Sequence, residues 1–266
     1  MQQVLSKSAD IGFCGPEQVI YINNQGKEDY PVIFAQLTQK DGSFLVGRTK
    51  EDDFKWESLK GKTILGGRPA GVPEMILEYV LKNHGLEPGK DVNIITNIAF
   101  TAVPGAFKAG NGDYSALFEP SGSVLESDKS GFIVSSIGKE AGTIPYTTFF
   151  ATKSYIDSNP DVIQAFTNAI YKGQLWVEQN SDHDVANTIM SFFPGTDISI
   201  LENVVKNYRE IDAFAADPQI HQEDLNRLAQ IIQNYDSKLL PSIPDYNKIV
   251  DPRFSEKAIT EIQLPM

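Results

Sequence analysis

Apolar residues change their spacing within residues 62–84, which read as strand, turn and helix in succession. A short apolar run covers residues 63–65, and the glycine-rich segment 66–71 can continue neither a strand nor a helix. Beyond this segment, apolar residues recur at helical spacing, at Met75, Ile76, Tyr79 and Val80. Pro73 suits the first turn of a helix because the N–H it lacks would have no partner there. The pattern predicts a helix that begins near Val72.

A helix start in such a loop is expected to leave backbone N–H groups free from Gly71 to Met75, where they can hold a negative or strongly polar group. Arg68 would add a cationic donor beside them. An ordinary strand-to-helix turn that binds nothing has the same pattern, so that alternative stays open. The glycine spacing fits neither the dinucleotide-binding GxGxxG motif nor the P-loop motif. The segment is therefore not expected to bind a nucleotide phosphate.

A second turn of the same kind follows residues 9–13, a short predicted strand. Cys14, Gly15, Pro16 and Glu17 form this turn, and apolar residues at helical spacing follow it. Pro16 again stands at a helix start, so this turn has the same capacity to face a ligand. For Cys14 we expect a small buried thiol rather than a nucleophile, because its neighbours are apolar and no histidine is near in sequence.

Strand and helix patterns alternate three times between residues 62 and 128, which predicts a parallel sheet with covering helices. Ligands of such sheets gather beyond the carboxyl ends of the strands. These ends are expected at residues 66–71, 97–100 and 118–119. Upstream, two apolar runs flank Asp41-Gly42, a turn signal for paired or successive strands.

From residue 153 the pattern becomes helical, and the tail from Pro241 is rich in proline and is expected to wrap around the protein without folding alone. Helices are predicted at residues 161–179, 182–192, 199–208 and 221–235.

Composition narrows the possible functions. The 266 residues are 41% apolar, which is ample for a packed core in one large or two small domains. A formal charge of −12 disfavours nucleic acid and anionic membrane surfaces as partners. The single cysteine allows no intramolecular disulfide, and no apolar run is long enough to span a bilayer. None of the three histidines falls in a metal-binding or hydrolase motif, so surface histidines are expected.

Four stretches together resemble a known family: ADIGFCGPEQ, SLKGKTILGGRPAGVPEMILEYVLKNHGLEPGKDV, GDYSALFEPSGSVLE, and DVIQAFTNAIYKGQLWV, whose helix opens on Asn-Pro. They are similar to the substrate-binding proteins of ABC importers. Within these, the nitrate, sulfonate, taurine and thiamine-precursor (NMT1/THI5-like) group is most similar. The resemblance covers nearly the whole chain, and the second stretch is its most specific part.

The resemblance implies an α/β fold of the periplasmic-binding-protein type (type II), with mixed sheets in two lobes that close on a ligand. Residues 1–54 with 143–266 would form lobe I, and residues 55–142 lobe II. Strands within residues 32–46 and 143–151 would make the two hinge crossings. Family members begin with a signal peptide, often a lipoprotein anchor, and a strand, turn and helix. We expect these to be missing from this sequence.

The family's ligand-facing turns match Cys14, Gly15, Pro16 and Glu17 in lobe I, and Arg68, Gly71, Val72, Pro73, Phe118 and Glu119 in lobe II. Gln36 and Tyr146 lie on the expected hinge strands. No catalytic residue, metal or cofactor is implied. The expected partners are a small-molecule solute and the membrane permease and ATPase of an importer. The expected protein is an extracytoplasmic monomer.

The resemblance leaves the function and the solute open. Import is the leading hypothesis; an enzyme of the thiamine-pyrimidine synthase type and a solute sensor are the alternatives. Arg68 and the helix starts favour a nitrate, sulfonate or carboxylate. Glu17 and Glu119 would repel a simple anion and, with Phe118 and Tyr146, favour an aromatic heterocycle with N–H groups.

Overall fold

A computed structural model describes residues 1–26 and 28–263. In this part of the chain eight strands form, namely β1 Gly12–Cys14, β2 Pro31–Thr38, β3 Ser43–Gly47, β4 Thr63–Leu65, β5 Asn93–Ile95, β6 Tyr114–Phe118, β7 Phe132–Ser136 and β8 Thr147–Thr152. They belong to two sheets, a three-stranded one and a five-stranded one.

Thirteen α-helices lie in the same described residues. They are α1 Gln2–Leu5, α2 Glu17–Asn23, α3 Val72–Asn83, α4 Val103–Lys108, α5 Ser121–Ser127, α6 Ile137–Ala141, α7 Lys153–Ser158, α8 Pro160–Gln179, α9 Asp182–Ile189, α10 Ile198–Glu210, α11 Gln222–Tyr235, α12 Tyr246–Ile249 and α13 Arg253–Glu261. Among them, no helix has the length and apolar character needed to cross a bilayer.

The chain divides into two compact units. Unit 1 contains residues 1–40, 143–181 and those from 214 onward, and unit 2 contains residues 41–142 and 182–213. The second unit therefore begins earlier than the predicted boundary at residue 55. It also contains α9 and α10, which the prediction placed in lobe I.

Unit 1 is built on an antiparallel sheet with strand order β1-β8-β2. Phe13 pairs with Phe149, and Gln36 pairs with Thr148. Helices α8 and α13 pack against β2. The apolar core of this unit contains Val32, Phe34, Ala35, Ala151, Ile156, Ile163 and Phe254. The sheet fixes where β1 ends, and thus where the turn into α2 lies.

Unit 2 is built on a mixed sheet with strand order β5-β4-β6-β3-β7. Strand β4 pairs in parallel with both β5 and β6, which confirms the parallel arrangement predicted from the alternating pattern. Strand β3 pairs antiparallel with β6 and β7. One buried cluster of this unit contains Val46, Leu65, Val103, Phe107, Leu117 and Leu125. The carboxyl ends of β4, β5 and β6 consequently share one edge.

The Asp41-Gly42 turn joins successive strands in different sheets, so β2 and β3 form no hairpin. The buried Asp41 carboxylate accepts hydrogen bonds from the backbone N–H of Ser43, at 2.8 Å, and from its hydroxyl. These bonds shape a turn that starts unit 2. A Cβ atom at Gly138 would lie 1.7 Å from the Asp41 carbonyl oxygen, so only glycine fits there.

The tail from Pro241 contains more helix than predicted, namely α12 and α13. Asp245 caps α12 by accepting a hydrogen bond from the Asn247 N–H at 3.0 Å. Helix α13 buries Phe254 and Ala258 and packs against α8. Burial of this apolar stripe explains why a proline-rich tail still forms helices.

Candidate functional site

The turn after β1 in unit 1 is covered by a carboxylate. Glu17, the first residue of α2, is only 8% exposed. A Cβ atom at Gly15 would lie 2.1 Å from Glu17 Oε2, so the Glu17 side chain folds back over Gly15. Gln18 Nε2 donates to Glu17 Oε1 at 3.2 Å. The turn therefore presents a negative group beside the start of α2.

This carboxylate affects two neighbouring acids. Burial, with the Glu17 charge as a second cause, raises the pKa of the Cys14 thiol to about 12. Burial, followed by the charges of Glu17 and Tyr235, raises the pKa of Tyr21 to about 12 as well. Cys14 stays protonated at neutral pH, with its thiol hydrogen-bonded to the Gly15 carbonyl at 3.3 Å. A protonated thiol is a poor nucleophile.

The turn between β4 and α3 in unit 2 also forms a hydrogen bond with a nearby glutamate, Glu74. The buried Glu74 carboxylate accepts a hydrogen bond from the Ala70 N–H at 2.8 Å. The N–H groups of Glu74 and Met75 both donate to the Gly71 carbonyl at 3.1 Å, and the Gly71 N–H donates to Arg68 O at 3.2 Å. The prediction of free N–H groups along this segment is therefore wrong for these three residues.

The remaining predicted residues of this turn differ in exposure. Arg68 is exposed, and its stem lies over Gly71, where a Cβ atom would be 3.3 Å from Arg68 Cγ. Val72 is buried and Pro73 is partly buried. The guanidinium group of Arg68 is thus the accessible polar group of this turn, among the predicted site residues.

The turn after β6 contains the third glutamate, Glu119. Its carboxylate accepts from the Ser123 N–H at 2.9 Å and the Ser123 hydroxyl at 2.8 Å, which lie in the first turn of α5. It also accepts from Asn207 Nδ2 at 2.6 Å, and the Glu119 N–H donates to Tyr208 Oη at 3.2 Å. Glu119 therefore holds α5 and α10 to the end of β6.

Phe118, the last residue of β6, lies against the ring of Phe100, which belongs to the strand end expected at residues 97–100. The Phe100 and Phe118 ring centroids are 5.8 Å apart, with an angle of 52° between the planes. Phe100 is 67% exposed and follows the end of β5. These aromatic residues lie at the strand edge of unit 2 that the parallel pattern predicted as ligand-facing.

Gln36 and Tyr146, on the expected hinge strands, both lie in unit 1. Gln36 is buried, and its side-chain Nε2 donates to the Gln219 carbonyl at 2.6 Å. Its backbone N–H donates to Pro218 O at 2.9 Å, and its carbonyl accepts from Gln174 Nε2 at 3.1 Å. Gln36 thus anchors the loop at 218–219. Tyr146 precedes β8 and donates its N–H to Thr38 O at 3.0 Å.

Sequence reasoning missed Asn207 and Tyr208, because it placed α10 in the other lobe. No short-range pattern links them to Glu119, from which they are separated by more than 80 residues. Among residues 1–26 and 28–263, no group of three or more metal-binding side chains could hold an ion.

Comparisons with known proteins agree with this architecture. A family model described as "NMT1-like family" matches residues 6–191. The protein named "Putative binding protein YtlA" of Bacillus subtilis (strain 168) is 42% identical over 261 residues, which are 98% of this chain and 78% of that protein.

Solved structures with low sequence identity show the fold. The alkanesulfonate-binding protein SsuA from Xanthomonas axonopodis pv. citri, bound to MOPS, matches with a TM-score of 0.71 and 18% identity over 94% of this chain and 83% of its own. The periplasmic nitrate-binding protein NrtA from Synechocystis PCC 6803 matches with a TM-score of 0.68 and 16% identity, over 96% and 75%. The predicted periplasmic-binding-protein-like α/β fold is confirmed.

Proposed function

The chain belongs to the NMT1-like family, and from this premise we propose that it is an extracytoplasmic solute-binding protein that delivers a small polar solute to an ABC importer. The observation that carries the proposal is the relative named a binding protein, which matches 98% of this chain at 42% identity. Two of the similar structures are named as alkanesulfonate-binding and nitrate-binding proteins, and these names support the same class of function.

The proposal assigns solute contacts separately to the two units. In unit 1 they are at the turn of Cys14 to Glu17, where β1 leads into α2. In unit 2 they are at the common edge of β4, β5 and β6, which carries Arg68 and Phe118. Ligands of open α/β sheets bind outside the carboxyl ends of parallel strands, which supports the second assignment.

The proposed role is binding without chemical conversion. Cys14, a potential nucleophile of the unit 1 turn, is held as a thiol by burial and by Glu17. Nucleophilic catalysis by a cysteine needs the thiolate near the operating pH, and this thiol stays protonated there. A solute recovered unchanged after prolonged incubation with the protein is the expected result.

The first test is native mass spectrometry of the purified protein, compared with its mass after denaturation. A discrete extra mass identifies the size of a retained solute. Candidate solutes are then tested by thermal unfolding, because a ligand at about one hundred times its dissociation constant stabilises the native state by about 2.7 kcal/mol. Absence of any retained mass and of any thermal shift across nitrate, sulfonates, amino acids and nitrogen heterocycles would refute the proposal.

Delivery to an importer is tested in cells. Deleting the gene should abolish uptake of the bound solute when the outside concentration is close to the dissociation constant. A sensor would leave uptake intact and change only the response to the solute. Unchanged uptake with a clear solute affinity in vitro would therefore reject the import role and retain the binding role.

A further inference from the structure

Unit 1 contains a cavity that none of the solute contacts proposed above uses. It has a volume of about 330 Å³ and lies between residues 4–10 and residues 152–159. This volume is at the lower end of the range for small-molecule pockets. Polar side chains line much of the cavity, and the side chain of the buried Val4 gives it an apolar part. The cavity can therefore hold a small ligand that is polar at one end and apolar at the other.

The cavity and the turn of Cys14 to Glu17 lie at opposite ends of β8. Cys14 pairs with Thr148, near the start of this strand, whereas Thr152, its last residue, lines the cavity. Because a strand rises about 3.3 Å per residue, the two positions on β8 are about 13 Å apart. The cavity is thus separate from the solute contacts proposed for unit 1.

Two charges of opposite sign line the cavity, those of Lys7 and Asp10. Within the described part of the chain, neither side chain forms a hydrogen bond or an ion pair. Asp29 lies nearby, and its carboxylate accepts from the Ser154 N–H at 3.0 Å and the Ser154 hydroxyl at 2.6 Å. Burial raises the pKa of Asp29, but these bonds and then the charge of Lys7 lower it further. A simple anion in the cavity would be repelled by Asp10, and a simple cation by Lys7.

Asn159 adds an acceptor to this charge pair. It is the N-cap residue of α8, but its side chain makes no capping hydrogen bond. Its Nδ2 instead donates to the Tyr155 carbonyl at 3.1 Å, and its Oδ1 accepts no hydrogen bond from the residues that the structure describes. The amide oxygen of Asn159 and the carboxylate of Asp10 are therefore two acceptors on the wall of one cavity.

Lys7 stands at a position that suits glycine better. It follows the C-cap of α1 with a φ of 59°, in the left-handed region. The Lys7 N–H donates to Val4 O at 3.0 Å and the Ser8 N–H to Gln3 O at 2.8 Å, so the helix end fixes this conformation. Glycine is the usual residue at such a position, because a side chain is strained there. What lysine adds at this position is its side chain, and not a backbone preference.

We propose that this cavity is a second binding site, which takes an α-amino acid with an apolar side chain. The Lys7 ammonium donates to the carboxylate of the amino acid, and the oxygens of Asp10 and Asn159 accept from its ammonium group. Both contacts are charge-assisted, and together they select a ligand that carries both groups. Val4 contacts the apolar side chain. The site goes beyond the proposed function and does not depend on the solute that the turn of Cys14 to Glu17 meets.

Isothermal titration calorimetry with three matched probes tests the class of ligand. The probes are leucine, 4-methylpentanoate, which is leucine without its ammonium group, and 3-methylbutylamine, which is leucine without its carboxylate. Leucine is expected to bind, and each of the other two is expected to bind at least tenfold more weakly. Equal affinity for leucine and either analogue would overturn the proposal, and so would the absence of leucine binding.

Two variants test the location of the site. Lys7→Gly and Asp10→Asn are each expected to weaken leucine binding at least tenfold. The control is Lys172→Ala, which removes an exposed lysine of α8 outside the cavity and should leave the affinity within twofold. Lys7→Gly should also keep or raise the thermal midpoint of the ligand-free protein, because glycine relieves the strain at this φ. A structural role of Lys7 would instead lower the midpoint.

The remaining outcomes also decide. If Lys7→Gly lowers the thermal midpoint, Asp10→Asn decides alone, because the Asp10 side chain forms no bond in the described part of the chain. Leucine that binds the native protein and both variants equally well overturns the second site. Such leucine binds elsewhere on the protein, so this result leaves the proposed function standing.

Discussion

Glu119 was predicted as a ligand contact, and its hydrogen bonds lead to a different expectation that can be tested without any ligand. Its carboxylate joins Ser123 of α5 and Asn207 of α10. If it acts as this brace, the ligand-free protein should lose stability when either Glu119 or Asn207 is changed. If it acts only on a ligand, the ligand-free stability should not change.

The size of the effect follows from the number and type of bonds. Glu119→Gln replaces a charged acceptor by an amide, whose NH2 group accepts no hydrogen bond, so the donors that faced one of the two carboxylate oxygens lose their acceptor. Hydrogen bonds to charged groups contribute about 1.5 to 3 kcal/mol each, and the partial exposure of Glu119 places it near the lower end. We expect Glu119→Gln to cost about 2 kcal/mol and Asn207→Ala about 1.5 kcal/mol.

Urea unfolding followed by circular dichroism measures these changes, and the double variant measures their coupling. Because both variants remove one shared bond, the double variant should cost less than the sum, with a coupling of about 1 kcal/mol. The control is Asn203→Ala, an exposed asparagine on the same helix. Its unfolding free energy measures the gain in helix propensity that alanine brings on α10, at position 203 as at position 207.

Two results would refute the reasoning. Unchanged unfolding curves for Glu119→Gln would show that the carboxylate does not hold unit 2 together. Strictly additive effects would show that the bond between Glu119 and Asn207 contributes nothing.

Four further predictions concern three side chains. Cys14 should react with iodoacetamide at pH 8 far more slowly in the native state than in urea. A pKa raised from 9.0 to about 12 lowers the thiolate fraction of Cys14 about a thousandfold. Equal reaction rates in the two states would contradict this pKa shift. The same shift means that Cys14 stays protonated in the native state while the unfolded chain loses the proton, so its contribution to stability should fall from pH 9 to pH 12. Tyr21→Phe should stabilise the protein by about 1 kcal/mol in urea unfolding, because the buried Tyr21 hydroxyl has no hydrogen-bond partner among the described residues. Tyr114→Phe is the contrasting control. It removes a 2.8 Å hydrogen bond to Glu51 and should destabilise the protein. Arg68→Ala should weaken the calorimetric affinity for an anionic solute by about 1.5 to 3 kcal/mol, because a charged hydrogen bond is lost. An unchanged affinity for an anion that the native protein binds would remove the guanidinium from the site.

Patterns of short range predicted much of unit 2. The alternation of apolar runs with helical spacing between residues 62 and 128 located β4, α3, β5 and β6, and the parallel pairing of these strands followed from the short loops and the helices between them. The membership of α9 and α10 could not be predicted in this way. It depends on packing of α10 against α5, between segments that are distant in sequence.

In the candidate site, too, the local features could be predicted and the contacts between side chains could not. Glycine and proline spacing located the turns at residues 14–17 and 66–73, because backbone conformation there is set by local residue types. The partners of each N–H group could not be deduced, because they depend on rotamers. Glu74 folds back onto Ala70, and Glu119 reaches Ser123 and Asn207.

Two of these glutamates reverse what a helix start implies about a ligand. An empty start attracts anions through its N–H groups and its dipole, and this was the reason to expect a nitrate or sulfonate at α3. Glu74 accepts from the Ala70 N–H just before α3, Glu119 accepts from the Ser123 N–H within α5, and each carboxylate thus lies beside a helix start. Side chains on the turns, and not the fold, determine the charge that a ligand meets, so the fold of nitrate- and alkanesulfonate-binding proteins does not determine which solute this protein binds.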